Sequence, residues 1–193
     1  AHGEQLDGVA VQAISTRLDA EGESEPPALQ QNADRSFIGS YVLGMGYIMA
    51  PEEAQRLIEA DPRNRECLFP YLNGQDLNAQ PDHHSTRWAI NFFDWPLERA
   101  EKYPDLIQIV REKVKPERDK LKRERRRERW WIYGENTPGL YRAIKLLRRV
   151  LLRARVSEYH MLTFVPKSLV ASEQVVVFAF DDYFHLALLQ SNL

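Results

Sequence analysis

One cysteine, Cys67, stands in 193 residues, so the chain has no intramolecular disulfide and no thiolate-rich zinc site. A reducing, cytoplasmic setting is the expectation. No stretch reaches the ~18–20 apolar residues that span a membrane, and no charged-then-apolar leader opens the chain, so no membrane partner is expected. Two catalytic patterns are also missing. A nuclease of the restriction type sets an acid two positions before a lysine, so that carboxylate and ammonium flank a metal-bound water. The residues two before Lys102, Lys113, Lys115, Lys120, Lys122, Lys145 and Lys167 are Ala, Arg, Lys, Arg, Lys, Ala and Val. An amino-methyltransferase needs Asn or Asp before Pro-Pro and an aromatic, to hold a flipped base and its amine. The Pro-Pro pair here lies in EPPA. The chain by itself is expected to be non-catalytic and to hold no cofactor or metal.

Two weaker patterns fail on inspection. GMGYIM (44–49) is half of a dinucleotide fingerprint, but Met49 stands at the third glycine position, and a glycine-bulged strand is the better reading. Asp82-His83-His84 carries metal-ligating side chains, yet neighbouring residues rarely converge on one ion and no second cluster accompanies them.

With 44% hydrophobic and 28% charged residues, the chain has the composition of a globular domain. It does not begin with methionine, and it stops at LLQSNL while an amphipathic pattern is still running, so a piece of a longer protein is expected. The net charge of −2 conceals an asymmetry: residues 1–34 hold seven acids against one base, and residues 111–155 hold seventeen Lys or Arg against six acids. Binding to a polyanion depends on the local face, not on the total.

Periodicity predicts an α+β fold with a mixed or largely antiparallel sheet, several short helices and one kinked basic helix. VAVQAIST (9–16) reads as a strand, and 21–35 as an acidic linker. SFIGSYVLGMGYIM (36–49) suits bent strands, and 51–62 a short helix opened by Pro51. LNGQDLN (72–78) places Asn73-Gly74 where both residues tolerate positive φ, which predicts a tight turn. STRWAINFFDW (85–95) reads as a strand. Residues 97–130 are helical in composition, with Pro116 forcing a kink or break. After a helix over 139–147, strands are expected at 148–156, 160–166 and 172–180. Asp181-Asp182 is positioned to cap a final helix.

Two basic clusters follow from this layout. In RDKLKRERRRERWWIYG (118–134), Arg125, Arg126, Arg129 and Trp130 are candidates for phosphate contact at a groove edge; the same run also fits a solvated helix face. In RRVLLRARVSEYH (148–160), Arg149, Leu151, Arg153 and Arg155 share one side of an extended strand.

Several blocks, in this order, resemble a known family: DPRNRECLFPYLNGQDLNAQPD, RWAINFFDWPLERAEKYPD, VKPERDK, RWWIYG, LYRAI and VVVFAFDDYFHLALLQSNL. From about Arg35 onward the chain resembles the target-recognition domain of the MmeI-like restriction-modification enzymes, large single chains in which a DNA-reading domain follows an adenine-N6 methyltransferase core. The Pro-Tyr-Leu-x-Gly-x-Asp-Leu block is also similar to TaqI-type specificity domains. The resemblance implies that residues 35–193 recognise double-stranded DNA and that 1–34 connect to the methyltransferase domain of the same parent chain. It also implies that S-adenosylmethionine and magnesium serve the parent enzyme and not this piece. On chemistry, Arg153, Arg155, Ser157, Glu158 and His160 are candidates for base contact, since arginine donates twice to guanine and Glu accepts from cytosine. Asn73, Gln75 and Asn78 have chemistry for phosphate or base edges, with turn-stabilising bonds an equal alternative for Asn73 and Asp76. The rival reading is a protein-interaction module that docks its basic helix on an acidic partner.

Overall fold

The computed structural model describes residues 4–15, 18–20, 29–80 and 82–191. They fall into two compact units, residues 1–33 and 34–193. In the first, β1 (Glu4–Leu6) and β2 (Val9–Val11) pair antiparallel across Asp7-Gly8, whose φ angles of 51° and 81° are those of a two-residue hairpin turn. The strand expected at 9–16 is therefore shorter, and Thr16 lies outside the described residues. Most of the linker expected at 21–35 also lies outside them. Within it, Gln30–Asn32 form one 3-10 turn.

The second unit begins with β3 (Ser36–Ile38), a 3-10 turn at Met45–Tyr47, and β4 (Ile48–Met49). α1 (Pro51–Ala60) starts on its proline with Glu52 and Glu53 in the first turn, where acids complement the helix dipole. β5 (Leu68–Leu72) then runs into α2 (Gly74–Ala79). The tight turn expected at Asn73-Gly74 is instead a helix start. Asn73 is extended (φ −114°, ψ 179°) and caps α2, exchanging hydrogen bonds with Asp76 in a capping box. A capping side chain at Asn73 competes directly with a positive-φ turn, and the Asp three residues on decides for the helix.

β6 (Arg87–Ile90) is followed by four short helices, α3 (Leu97–Ala100), α4 (Pro104–Lys113), α5 (Lys115–Arg118) and α6 (Glu124–Glu128). The basic helix is thus broken, not merely kinked. Pro104 and Pro116 each sit in a first turn, where a missing N–H costs nothing, and α6 buries no residue, so nothing apolar extends it. α7 (Pro138–Ala143), β7 (Arg149–Ala154), β8 (Thr163–Pro166), β9 (Val170–Ala171) and β10 (Val175–Phe178) lead to α8 (Tyr183–Gln190). α8 is capped by Asp182, whose carboxylate accepts from the His185 N–H.

Two four-stranded sheets result. The order β3-β10-β7-β8 is antiparallel throughout, and β4-β6-β5-β9 is mixed because β9 runs parallel to β5. The fold is α+β. The mixed sheet packs with α1 and α4 around Tyr47, Leu68, Ile90, Leu106 and Val110, and the antiparallel sheet packs Val150, Leu152 and Val177 against Leu77 of α2 and Leu140 of α7. The sheets meet where Ser40 bridges Ser172, with Gly39 so close that a Cβ there would lie 2.1 Å from the Ser172 carbonyl oxygen. No helix among the described residues is long and apolar enough to cross a membrane.

Candidate nucleic-acid interface

α2 lies against β7 with its first turn beside the start of β10. Its capping box is buried, and Thr86 Oγ1 adds a hydrogen bond to Asp76 Oδ1 at 3.0 Å. Asn73 and Asp76 are therefore spent inside the protein, and the cap fixes the helix that displays Gln75 and Asn78 to solvent. Opposite them, the end of β7 delivers Arg155. Its backbone N–H donates to Gln174 O at 2.9 Å and its Nη1 to Glu173 O at 3.1 Å. Asn78 Nδ2 donates to Val156 O at 3.0 Å, and the Gly74 N–H to Gln174 Oε1 at 3.3 Å.

These bonds close the sides of an open groove of about 770 Å³ lined by Gly74, Gln75, Asn78, Arg155, Glu173 and Gln174 among others. Three amides, a guanidinium and a carboxylate on one concave surface are the side-chain set that distinguishes base edges. Sequence reasoning missed Glu173 and Gln174, which form the turn just before β10. Their polarity just before an apolar strand was the available signal.

The rest of the 153–160 set separates. Arg153 is half-buried on the sheet face, opposite Val176, with an Nε that has no hydrogen-bond partner among the described residues. Ser157 and Glu158 are exposed in the loop, where Ser157 Oγ accepts from the Tyr159 N–H. His160 points elsewhere: its Nε2 lies 2.8 Å from Leu189 O, and Gln190 Nε2 donates to its carbonyl, tying the loop to α8.

The basic run of 118–134 divides as well. Arg118 is buried in the core, where its Nη2 donates to Val42 O and Ile132 O, both at 3.2 Å. Trp130 and Trp131 are buried and pack edge to face, with Trp131 Nε1 donating to Trp95 O. Trp130 is thus a core residue and not a groove edge: it belongs to the cluster of Tyr47, Val110 and Trp131, where burial removes more apolar surface from water than a position at a rim. Arg125 is exposed, whereas Arg126 pairs with Glu135 at 3.2 Å and Arg129 with Asp94 at 2.6 Å. The Arg129 hydrogen bond, with Asn136, holds the Asp94 carboxyl below the usual carboxylate range. Two arginines of this patch, Arg126 and Arg129, are thus paired within the chain.

A third basic site lies at the other end of β7. Arg148 and Lys145 are exposed, and Lys167 donates to the Lys145 carbonyl. Arg149 stacks on the rings of Phe164 and Tyr183, 3.7 and 4.7 Å from their centroids, and donates to Asp181 O. Among the described residues no group of three His, Cys, Asp or Glu side chains is placed to hold a metal ion. Of the Asp82-His83-His84 set, His84 pairs with Asp82 while His83 Nδ1 faces Leu77 O.

No family model and no curated protein matches the sequence. The fold is similar to part of the Type IIL restriction-modification enzyme MmeI, solved in complex with DNA, with a TM-score of 0.66 and 13% identity over 95% of this chain. The chain spans 24% of that enzyme's length. It shares a fold with a segment of a restriction-modification enzyme.

Proposed function

We propose that this chain is a target-recognition domain, in which residues 35–193 read duplex DNA and residues 1–34 connect to an adenine-N6 methyltransferase core of the same parent protein. The observation that carries this reading is the groove between α2 and the β7–β10 end, which gathers Gln75, Asn78, Arg155, Glu173 and Gln174. Amides suit adenine, arginine suits guanine and a carboxylate suits the cytosine amine. The fold shared with an enzyme solved on DNA supports the same direction. Exposed Arg125, Arg148 and Lys145 would meet phosphates, fixing register without reading sequence. Docking of the basic helix on an acidic protein has less support, since Arg126 and Arg129 are already paired within the chain.

On this reading the piece performs no chemistry itself. Methyl transfer from S-adenosylmethionine and magnesium-dependent cleavage belong to other parts of the parent.

Fluorescence anisotropy with a labelled duplex provides the test. Affinity is expected to fall on the order of a hundredfold between 50 and 200 mM salt, from release of counterions at several phosphate contacts. Exchanging Arg125 and Arg148 for Ala should flatten that dependence. Salt-independent binding, or none at low salt, would contradict the proposal.

A further inference from the structure

A second concavity, distinct from the groove, opens beside the third basic site. It encloses about 330 Å³ between Phe69, Phe93 and Tyr141, with Lys145 and Lys167 among its lining. That volume is at the low end of the ~300–1,000 Å³ range of small-ligand sites. Phe93 stands between the other two rings, edge to face with Phe69 at 5.5 Å and with Tyr141 at 5.1 Å.

Phe93 also adopts φ of 52°, a left-handed conformation that is an outlier for a bulky residue. The protein holds it there from both sides. Asn91 Oδ1 accepts from the Phe93 N–H at 2.8 Å, and Asn136 Nδ2 donates to the Phe93 carbonyl at 3.3 Å. Two side-chain amides thus clamp a strained residue whose ring lines an open pocket, a pattern associated with binding sites. Lys145 and Lys167 have no carboxylate partner within ion-pair distance among the described residues. Aromatic walls beside two ammonium groups that no carboxylate neutralises, that of Lys167 donating to the Lys145 carbonyl, fit a flat, apolar-faced ring that carries an anion.

We propose that this pocket binds one unstacked nucleotide, its base against Phe69, Phe93 and Tyr141 and its phosphate against Lys145 and Lys167. Base stacking on aromatic rings tolerates any base, so the site selects for an unpaired nucleotide and not for sequence. As a site for an extrahelical nucleotide of bound DNA, the inference rests on the DNA-reading proposal. As a site for a free nucleotide it does not.

The experiment compares a labelled duplex carrying one unpaired adenine with its fully paired counterpart, alongside an NMR titration with deoxyadenosine monophosphate. The bulged duplex is expected to bind roughly tenfold more tightly, the scale of one base stacked on an aromatic ring. Lys145→Glu with Lys167→Glu, both near the surface, should abolish that preference, and the corresponding Lys→Arg pair should keep it. Arg155→Ala, in the other groove, should weaken both duplexes alike. If neither duplex binds but the monophosphate shifts the resonances of Phe69, Phe93 and Tyr141, the pocket stands as a free-nucleotide site and the DNA reading falls. Equal affinity for the two duplexes with no shift of those rings would overturn the inference.

Discussion

At the scale of single residues, the polar side chains of α2 divide by burial. Asn73 and Asp76 satisfy each other's N–H groups below the surface, while Gln75 and Asn78, on the same helix, remain exposed. Asn73→Ala should therefore lower stability by about 1 kcal/mol, as for other lost caps, measured by urea unfolding. It should weaken DNA binding only through that loss. Asp94 offers a pH test. Its folded carboxyl titrates below its unfolded value because Arg129 and Asn136 bond the charged form. Its contribution is therefore present above the unfolded pKa of about 4, and disappears as pH falls through the folded value. Wild type should exceed Asp94→Asn in urea midpoint at pH 7, and the difference should vanish near pH 2; a constant difference would dismiss the ion pair as its source. The residue chemistry was legible in the sequence, but its placement was not. The charge of Arg118 gives no hint of burial, and Trp130 beside Arg129 reads equally as rim or core. Long-range packing, not local pattern, decides both.

At the scale of elements, prolines and caps were the readable signals. Pro51 and Asp182 start helices where expected, and β7, β8 and β10 form the antiparallel set that alternation suggests. The basic segment resisted because composition favours helix while Pro116 and the lack of an apolar stripe oppose a long one. β9 was also hidden: two residues, Val170–Ala171, carry too little pattern to announce a strand, yet they pair parallel with β5 and lead into β10. Gly39 marks the junction they create. A side chain at this position meets the backbone of Ala171 and Ser172 at 2.5 and 2.1 Å, and backbone cannot step aside as a flexible side chain can. Gly39→Ala should cost ~3 kcal/mol or more, at the upper end of overpacking effects, and the Ser40 amide, which donates to Ala171 O, should lose its hydrogen-exchange protection. Unchanged stability would mean that the sheets are not joined so tightly.

At the scale of the whole molecule, the sequence announced a basic surface but not its division into separate sites. β7 explains the division. It carries Arg149 at its first residue and Arg155 just beyond its last, roughly 20 Å apart at the rise of an extended strand. One end of the strand therefore serves the groove, and the other the lysines beside the aromatic pocket. Glu173 and Gln174 reach the groove because β10 pairs directly with β7 while β8 takes the other edge of β7, an order that alternation alone does not set. Sequence reading by the groove is tested by selection from random duplex DNA at moderate salt, with the wild-type chain and with Gln75→Ala plus Arg155→Ala. Half-buried Arg153 is left intact. Wild type should enrich a short motif, and the double variant should lose preference at one or two positions of it, each contact contributing ~1–3 kcal/mol of discrimination. A wild-type pool with no motif, or a motif the two substitutions leave unchanged, would contradict sequence reading by the groove.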